Sequence, residues 1–238
     1  MHKPNPLTPF LCREGGTTTL MLKLDLKQGK DIYLIGLTGN IACGKSAVLK
    51  MLAEQGAAVI DADSAIHRIM QPSGSAYAPI IAHFGETILA ENHSDPRPID
   101  RHKLGAIVFP NPDELKALEA ISHPLVRVEI LRQIAEADRP IVVLDAIKLI
   151  ENGLADASDS VWVVTCPPKV QLERLTKRNN FSEEEALTRI KAQPAQAEKV
   201  ARADVVIDNG GSLTETEAQV AAAWERISSK NSGVRIKE

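Results

Sequence analysis

Residues 32–49 read IYLIGLTGNIACGKSAVL, and this stretch decides the fold. An apolar run breaks at Gly39, and periodic apolar sequence resumes after Gly44-Lys45-Ser46, so a G-x-x-x-x-G-K-S loop lies between a predicted strand and a predicted helix. Glycines in such a loop let backbone N–H groups turn inward around a phosphate chain, and the following helix points its positive end at the same anion. The stretch therefore predicts a nucleoside triphosphate site.

The loop and its flanks supply the predicted contacts to this triphosphate. Lys45 can reach the β- and γ-phosphates, and the Ser46 hydroxyl can bind Mg²⁺. The alternative is a loop that leads into a helix and carries a surface lysine, but the strand–loop–helix context favours the triphosphate site. The predicted binding set here comprises Gly39, Asn40, Ile41, Ala42, Cys43, Gly44, Lys45, Ser46 and Ala47.

The composition is that of a globular chain. It has 238 residues, of which 44% are hydrophobic and 25% are charged, and a formal net charge of -3. The charge disfavours a nucleic-acid partner, and no apolar run approaches the roughly 20 residues that span a bilayer. The chain holds only three cysteines, which are widely spaced and fit neither a disulfide framework nor a zinc site, so they indicate a reducing cytoplasm.

The two ends of the chain are predicted to lie outside the folded domain. Residues 1–30 contain prolines, a GGTTT segment and charges without the hydrophobic run of a secretory signal, which predicts a flexible N-terminal extension. Because Met21 lies just ahead of the first predicted strand, residues 1–20 are predicted either to be dispensable or to reflect an upstream start codon. Residues 31–230 are predicted to form one domain, and residues 231–238 a polar tail.

Two short apolar runs end in acidic residues. Residues 57–60 precede Asp61 and Asp63, and residues 140–144 precede Asp145. Such runs predict strands buried on both faces of a parallel sheet, so the acids should lie at the carboxyl edge, where ligands bind. One aspartate of the first pair could instead cap the next helix, and Asp145 could be a solvated acid rather than support for Mg²⁺.

Helical sequence fills the spans between the predicted strands. Residues 64–138 are too many for a plain crossover, which predicts an all-helical insertion whose long last helix is interrupted near His123-Pro124. Residues 167–199 predict a helical lid, with Arg178 beside the tip and a capping box at Ser182 and Glu185. Lys177 and Lys191 are interpreted as a solvated face. The remaining core segments are 31–63, 139–166 and 200–230.

Several segments, in this order and spacing, resemble the dephospho-CoA kinase family. The resemblance covers about residues 33–227 and implies an α/β, P-loop NTPase-type three-layer fold. That fold has a five-stranded parallel sheet, a helical acceptor-binding insertion and a helical lid. The matching segments are LTGNIACGKS, VIDAD followed by AIH, IDRHKLGAIVF, ISHPLV, the D-x-x-x-L-x-E-x-G-L frame from Asp145 to Leu154, QLERLTKR, RIKAQ and ADVVIDNGG.

The resemblance also implies an activity. ATP would phosphorylate the ribose 3′-hydroxyl of dephospho-CoA, with Mg²⁺, to give coenzyme A and ADP in the last step of coenzyme A biosynthesis. The implied partners are therefore ATP and dephospho-CoA, with neither nucleic acid nor membrane. The expected state is a monomer or small homo-oligomer in the cytoplasm.

The resemblance further assigns roles to individual residues. Asp63 is implied as the base or orienting carboxylate, and Lys45 and Arg178 complete the catalytic set. Ser46 is implied as a ligand of Mg²⁺, with Asp63 or Asp145 acting directly or through water. The implied substrate-binding residues are Asp61, Asp63, His67, His123 and Pro124. Arg178 and Asn209 join the ATP-binding set, Asn209 beside adenine, and Arg174 and Arg189 are the other lid arginines.

Two other functions stay open at this point. A nucleoside or nucleotide kinase shares the same core, lid and acceptor plan, and fold alone does not give the substrate. A regulatory P-loop switch is the second, although Asp63 and the arginine-bearing lid disfavour it. The sequence departs from the family pattern at Ala146-Ile147-Lys148, at Cys43, which places a thiol near ATP, and at His67, where arginine is also used.

Overall fold

The computed structural model describes residues 11–14, 17–20, 25–27, 29–91, 95–179 and 181–231. The described chain divides into two compact units. One is formed by residues up to 59 together with those from 137 onward, and the other by residues 60–136. Across the described residues, every helix is too short or too polar to cross a membrane.

The strands form a short hairpin and a larger sheet. β1 (Leu11–Glu14) and β2 (Thr17–Leu20) pair antiparallel. The other strands form a five-stranded parallel sheet in the order β4-β5-β3-β6-β7, which confirms the predicted α/β class. Their bounds are β3 Tyr33–Gly39, β4 Ala58–Asp61, β5 Ile141–Asp145, β6 Ser160–Thr165 and β7 Val205–Asp208.

The helices of the first unit follow its strands. They are α1 (Lys45–Glu54), α6 (Pro168–Asn179), α7 (Glu183–Lys191), α8 (Gln196–Val200) and α9 (Leu213–Asn231). Every residue of β5 and β6 is buried, as expected for strands covered on both faces. One core cluster packs Val48 and Leu52 of α1 and Val220 of α9 with Ile35 and Trp162 of the sheet. This packing fixes the strand ends from which the loops extend.

The second unit is helical apart from the end of β4. Its helices are α2 (Ala62–Ile69), α3 (Tyr77–Phe84), α4 (Arg101–Val108) and α5 (Pro112–Glu136). Within the described part of residues 62–136, the sole strand pairing is an isolated bridge between Leu89 and Ile99. Ile69, Ile80, Ile88 and other apolar side chains form a separate core here.

The predicted interruption of the last insertion helix is wrong. α5 runs continuously with Pro124 inside it. A proline in a helix removes one N–H hydrogen bond, which normally kinks or ends the helix. Here Ile121 and Leu125 pack against the core on either side of the proline while Pro124 itself is exposed, so tertiary packing outweighs the lost bond.

The predicted flexible extension is wrong for the β1–β2 hairpin and for its last residues. Leu26 is 1% exposed, and the Lys27 ammonium lies 2.5 Å from the Asp159 carboxylate. Lys30 Nζ donates to the carbonyl of Ala137 at 2.8 Å. Leu22, Leu24 and Leu26 alternate with charged residues, but this alternation is short and was not recognised in the sequence as a sign of attachment. Residues 1–10, 15–16, 21–24 and the end of the predicted tail, 232–238, lie outside the described residues.

Burial of Leu26 leads to a stability prediction. Leu26→Ala should lower the free energy of unfolding by about 2 to 5 kcal/mol, the range for a buried leucine replaced by alanine. A chain begun at Met21 keeps Leu26 and should melt at the temperature of the full chain. Thermal melting of both variants is the measurement. If the Met21 chain melts much lower than the full chain, residues 1–20 pack on the core and are not dispensable.

Candidate active site

The loop between β3 and α1 has a backbone conformation that leaves no room for a side chain at Gly39 or Gly44. A Cβ atom at Gly39 would lie 2.7 Å from the carbonyl oxygen of Val164. At Gly44 φ is +87°, and a Cβ there would lie 1.9 Å from the amide nitrogen of Asn209. Ala42 also has a positive φ of 60°, which is strained for a residue with a side chain. Positive φ values of this kind are typical of loops whose N–H groups form anion-binding nests.

The first turn of α1 faces this loop without a side-chain cap. Gly44 occupies the N-cap position and makes no side-chain hydrogen bond. Lys45 and Ser46 are the first helical residues, so the positive end of the helix dipole and two candidate ligands coincide. The arrangement suits a phosphate chain, as the sequence predicted.

Lys45 and Asp145 form an ion pair inside this region. The Lys45 ammonium contacts the Asp145 carboxylate, and the two side chains are 16% and 9% exposed. Asp145 ends β5, whose register pairs it with Leu37 of β3, so the sheet itself holds the carboxylate beside the loop. The buried acid is thus not a solvated strand end, which removes that alternative for Asp145.

Three side-chain amides from the lid segment, residues 167–199, hold the first half of the loop. Gln193 Oε1 accepts the N–H of Ile41 at 2.8 Å, and Gln171 Nε2 donates to the Ile41 carbonyl at 2.7 Å. Gln196 lies against the sulfur atom of Cys43, its Oε1 3.4 Å away. Sequence reasoning missed these residues. Gln171 and Gln193 belong to the QLERLTKR and RIKAQ segments, but no local pattern connects them to a loop more than a hundred positions earlier.

Asn209 and Arg174 hold the second half of the loop. The carbonyl of Cys43 accepts from Asn209 Nδ2 at 2.8 Å and from Arg174 Nη1 at 3.4 Å. Arg174 also donates to the Asn209 carbonyl at 2.8 Å, and the Thr216 hydroxyl donates to Asn209 Oδ1 at 2.9 Å. Asn209 is therefore hydrogen-bonded to the loop backbone and to Thr216. These bonds hold the loop in position.

A buried lysine and a buried asparagine complete this unit. Lys199 is 3% exposed and donates to the Ile147 carbonyl at 3.0 Å, which also accepts from the Thr38 hydroxyl. Burial lowers the pKa of Lys199. Asn40 donates to the Pro194 carbonyl at 3.1 Å, while its Oδ1 is buried with no hydrogen-bond partner among the described residues. Such an acceptor is costly unless a donor reaches it.

The predictions for the remaining lid residues are confirmed in one case and stay untested in another. The predicted capping box between Ser182 and Glu185 is confirmed. The Arg189 guanidinium stacks on the ring of Phe181, 3.9 Å from its centroid. Arg178 lies near the end of α6, and its side chain lies outside the described residues, as does Asn180. The position of the Arg178 charge therefore stays a prediction.

In the second unit the two aspartates at the end of β4 and just beyond it have different local roles. Asp61 is the N-cap of α2: its Oδ1 accepts from the N–H groups of Asp63 and Ser64 at 2.9 and 3.0 Å, and its Oδ2 accepts from the Ser64 hydroxyl at 2.6 Å. Asp63 lies in the first helical turn and is half-buried. The capping alternative thus accounts for Asp61 and leaves Asp63 for another role.

The other predicted substrate residues lie on the two helices that pack together in this unit. His67 is exposed on α2, and His123 and Pro124 are exposed halfway along α5. Beside them Arg68 Nε lies 3.3 Å from Glu129 Oε1. Hydrogen bonds from Arg132, with help from Gln133 and Arg68, lower the pKa of Glu129 to about 2. This surface is therefore charged and solvent-accessible.

The residues beside the loop fit a Mg²⁺ ion. Mg²⁺ prefers oxygen ligands, usually one or two protein oxygens together with substrate phosphates. The Ser46 hydroxyl and the Asp145 carboxylate are oxygen donors of that kind beside the same loop. Clusters of three or more His, Cys, Asp or Glu that could hold a metal are absent from the described residues.

Comparison with known proteins identifies the family. The dephospho-CoA kinase family model matches residues 33–215. Dephospho-CoA kinase from Geobacillus kaustophilus is 48% identical over 199 residues, which cover 81% of this chain and 97% of that protein. The enzyme of the same name from Symbiobacterium thermophilum is 48% identical over 194 residues, 80% of each chain.

Solved structures agree with this result. A crystal structure of a Thermus thermophilus protein superposes with a TM-score of 0.72 at 32% identity, covering 83% of this chain and 99% of that chain. Dephospho-CoA kinase from Campylobacter jejuni superposes with a TM-score of 0.62 at 28% identity, covering 83% and 98%. From the phosphate loop, the sheet and these matches together, the chain belongs to the dephospho-CoA kinase family.

Proposed function

We propose that this protein transfers the γ-phosphoryl group of ATP to the ribose 3′-hydroxyl of dephospho-CoA, giving coenzyme A and ADP. The observation that carries the proposal is the preformed phosphate loop, with Lys45 and Asp145 beside it, in a chain of this family. The reaction would be the last step of coenzyme A biosynthesis. The cytoplasm and a monomer or small homo-oligomer are the proposed setting.

The nucleotide half of the site lies in the first unit. Backbone N–H groups of the loop bind the phosphates, and Lys45 compensates the charge that spreads over the transferring phosphoryl group. This requires Lys45 to exchange Asp145 for phosphate oxygens when ATP binds. Asp145 would then be available, with Ser46, to hold Mg²⁺, which supplies charge neutralisation between the phosphates. Asn209 and Arg174 keep the loop in place, with Asn209 toward the adenine side.

The acceptor half belongs to residues 64–138, the proposed acceptor-binding segment. Asp63, directly before this segment, accepts the proton of the ribose 3′-hydroxyl while that oxygen attacks the γ-phosphorus atom. The bond from this phosphorus to the β,γ-bridging oxygen breaks, and ADP leaves. Asp61 orients the helix that carries Asp63 through its capping bonds. His67, His123 and Pro124 contact the acceptor in this proposal.

The lid supplies the third group of residues. Residues 167–199 would close over ATP and exclude water from the phosphoryl group, since water is a competing acceptor. Arg178 is proposed to meet the transferring phosphoryl group. Arg189, stacked on Phe181, stays in the lid tip, and Arg174 acts on the loop backbone instead.

The lid assignment makes a prediction about two neighbouring cations. Arg178→Ala should lower kcat more than it raises KM for ATP, because the charge it would meet develops in the transition state. Lys177→Ala, the matched control one position earlier, should change either constant little. Steady-state kinetics with varied ATP is the measurement. Equal effects from the two variants would show that Arg178 contributes only its positive charge to the surroundings and has no specific contact with the phosphoryl group.

The proposed function is tested by ADP release from the purified chain. We expect release that depends on dephospho-CoA and exceeds the release seen with nucleosides, with nucleoside monophosphates and without an acceptor. A preference for a nucleoside or nucleotide would identify a different small-molecule kinase. Slow hydrolysis that no acceptor accelerates would indicate a regulatory nucleotide switch instead.

A further inference from the structure

Two thiols meet beneath the phosphate loop, and the proposed reaction uses neither. Cys43 lies in the loop and Cys166 directly follows β6, and their sulfur atoms are 3.1 Å apart. Both cysteines are free and buried. The remaining cysteine of the chain, Cys12, is far from them in sequence.

The sheet brings the two thiols together. Gly39, at the end of β3, pairs with Val164 of β6, and the two cysteines follow these paired strand ends. The register therefore places the start of the loop beside the end of β6, and the bonds from Asn209 and Arg174 to the Cys43 carbonyl hold the loop there. A disulfide bond is about 2.0 Å long, so the sulfur atoms need to approach by about 1 Å to form one.

One side chain, Gln196, contacts both cysteines. The Gln196 carboxamide oxygen lies 3.4 Å from Cys43 Sγ and accepts the N–H of Cys166 at 3.5 Å. Its Nε2 donates to the Cys166 carbonyl at 3.5 Å. The two N···O distances are long for hydrogen bonds, so Gln196 holds the Cys166 backbone only weakly. Access of a small oxidant to the buried sulfur atoms would require this side chain to turn away.

The two thiols differ in chemical character. The contact with the Cys43 sulfur lowers the pKa of Cys166, and the Arg174 guanidinium lowers it further. The contact with Cys166, together with burial, raises the pKa of Cys43. Because the thiolate is the nucleophile, Cys166 is the sulfur that reacts first, and Cys43 is placed to resolve the product.

We propose that Cys43 and Cys166 form a reversible oxidative modification site, at which a disulfide distorts the phosphate loop and suppresses the use of ATP. The inference rests on the proposed function for the meaning of that loop. Hydrogen peroxide is the oxidant we consider. The modification requires no partner protein, since both sulfur atoms come from this chain.

The chemistry balances with peroxide as the sole co-reactant. The Cys166 thiolate attacks one peroxide oxygen, the O–O bond breaks, and hydroxide leaves to give a sulfenic acid. Cys43 sulfur then attacks Cys166 sulfur, the S–O bond breaks and the S–S bond forms. The leaving hydroxide takes up the Cys43 proton as water. Two thiols lose two electrons in total, and peroxide is reduced to two waters.

The disulfide would reach the catalytic atoms through the loop backbone. The Cys43 carbonyl is fixed by Asn209 and Arg174, and Gly44 already lies against the Asn209 amide. Because Gly44 and Lys45 directly follow Cys43, drawing the Cys43 sulfur toward Cys166 should displace the N–H groups of these residues and the Lys45 side chain. A misplacement of about 1 Å costs roughly 10²-fold in rate, so we expect a loss of at least about 10-fold.

The test uses the reduced full chain, treated with hydrogen peroxide and then with dithiothreitol. Peptide mass mapping without reduction should find Cys43 linked to Cys166, and acceptor-dependent ADP release and ATP affinity should fall together. Dithiothreitol should restore both. Cys166→Ala should be as active as the parent before oxidation and keep its activity afterwards. Cys12→Ala, the matched control, should be inactivated like the parent.

Three outcomes would overturn the inference. They are the absence of the linked peptide, a linked chain of full activity, and a Cys166→Ala chain that peroxide inactivates as the parent does. If Cys166→Ala does not fold, mapping and reactivation of the parent still decide. Failure of the proposed function is separate, because it shows as absent acceptor-dependent ADP release before any oxidant is added, while mapping and ATP affinity remain measurable.

Discussion

Asp63→Asn is expected to lower kcat by about 10²- to 10⁴-fold, the usual value of a positioned general base. Asparagine keeps the size of the side chain but cannot accept the ribose proton. Affinity for ATP should stay near that of the parent because Asp63 is assigned to the acceptor. The melting temperature should also stay close, since the cap of α2 is Asp61 and not Asp63.

Asp61→Asn is the matched control for this prediction. Asparagine caps a helix about as well as aspartate, so the bonds to the Asp63 and Ser64 N–H groups should survive. We expect nearly normal kcat and a small change in melting temperature. The two variants should be measured side by side. Near-normal turnover of Asp63→Asn would disprove that Asp63 is the general base. A large loss of kcat found only in Asp61→Asn would instead assign the general base to Asp61, two residues earlier.

The second large effect is expected at Lys45. Lys45→Ala removes a preorganised positive charge from the phosphoryl group, and losing one such group typically costs about 10²- to 10³-fold in kcat. The variant also leaves the buried Asp145 carboxylate without its lysine, which should lower the melting temperature. Kinetics and thermal melting of the same preparations measure the two effects.

A double variant separates chemistry from stability at this pair. Lys45→Ala combined with Asp145→Asn removes both charges, so its melting temperature should return toward that of the parent. Its turnover should stay as low as that of Lys45→Ala, because the phosphate charge is still uncompensated. Near-normal turnover of Lys45→Ala with ATP would show that this loop is not the catalytic phosphate site.

The sequence predicted those parts of the structure that local patterns encode. The loop pattern from Gly39 to Ser46 and the apolar runs ending at Asp61 and Asp145 each need only a few adjacent residues, so strand ends and acids were placed correctly. Sequence alone did not decide which aspartate caps α2. Both aspartates fit the preference for aspartate at a helix N-cap, and only the hydrogen bonds that Asp61 accepts distinguish them.

The remaining features depend on contacts between distant residues. Gln193 and Gln171 bind the loop across more than a hundred residues, and the meeting of Cys43 with Cys166 depends on strand register. Pro124 stays inside α5 because packing outweighs a local rule. Long-range packing of this kind has no periodic signature, so these contacts become visible only in the folded chain.

The central claim is tested most directly by identifying the product. The purified chain would be incubated with ATP, Mg²⁺ and dephospho-CoA, and the thiol-containing product analysed by chromatography and mass spectrometry against authentic coenzyme A. We predict one product, heavier than dephospho-CoA by one phosphoryl group and matching coenzyme A in retention, formed in equal amount to ADP. Unchanged dephospho-CoA, or a phosphoryl group at a position other than the ribose 3′-oxygen, would contradict the account.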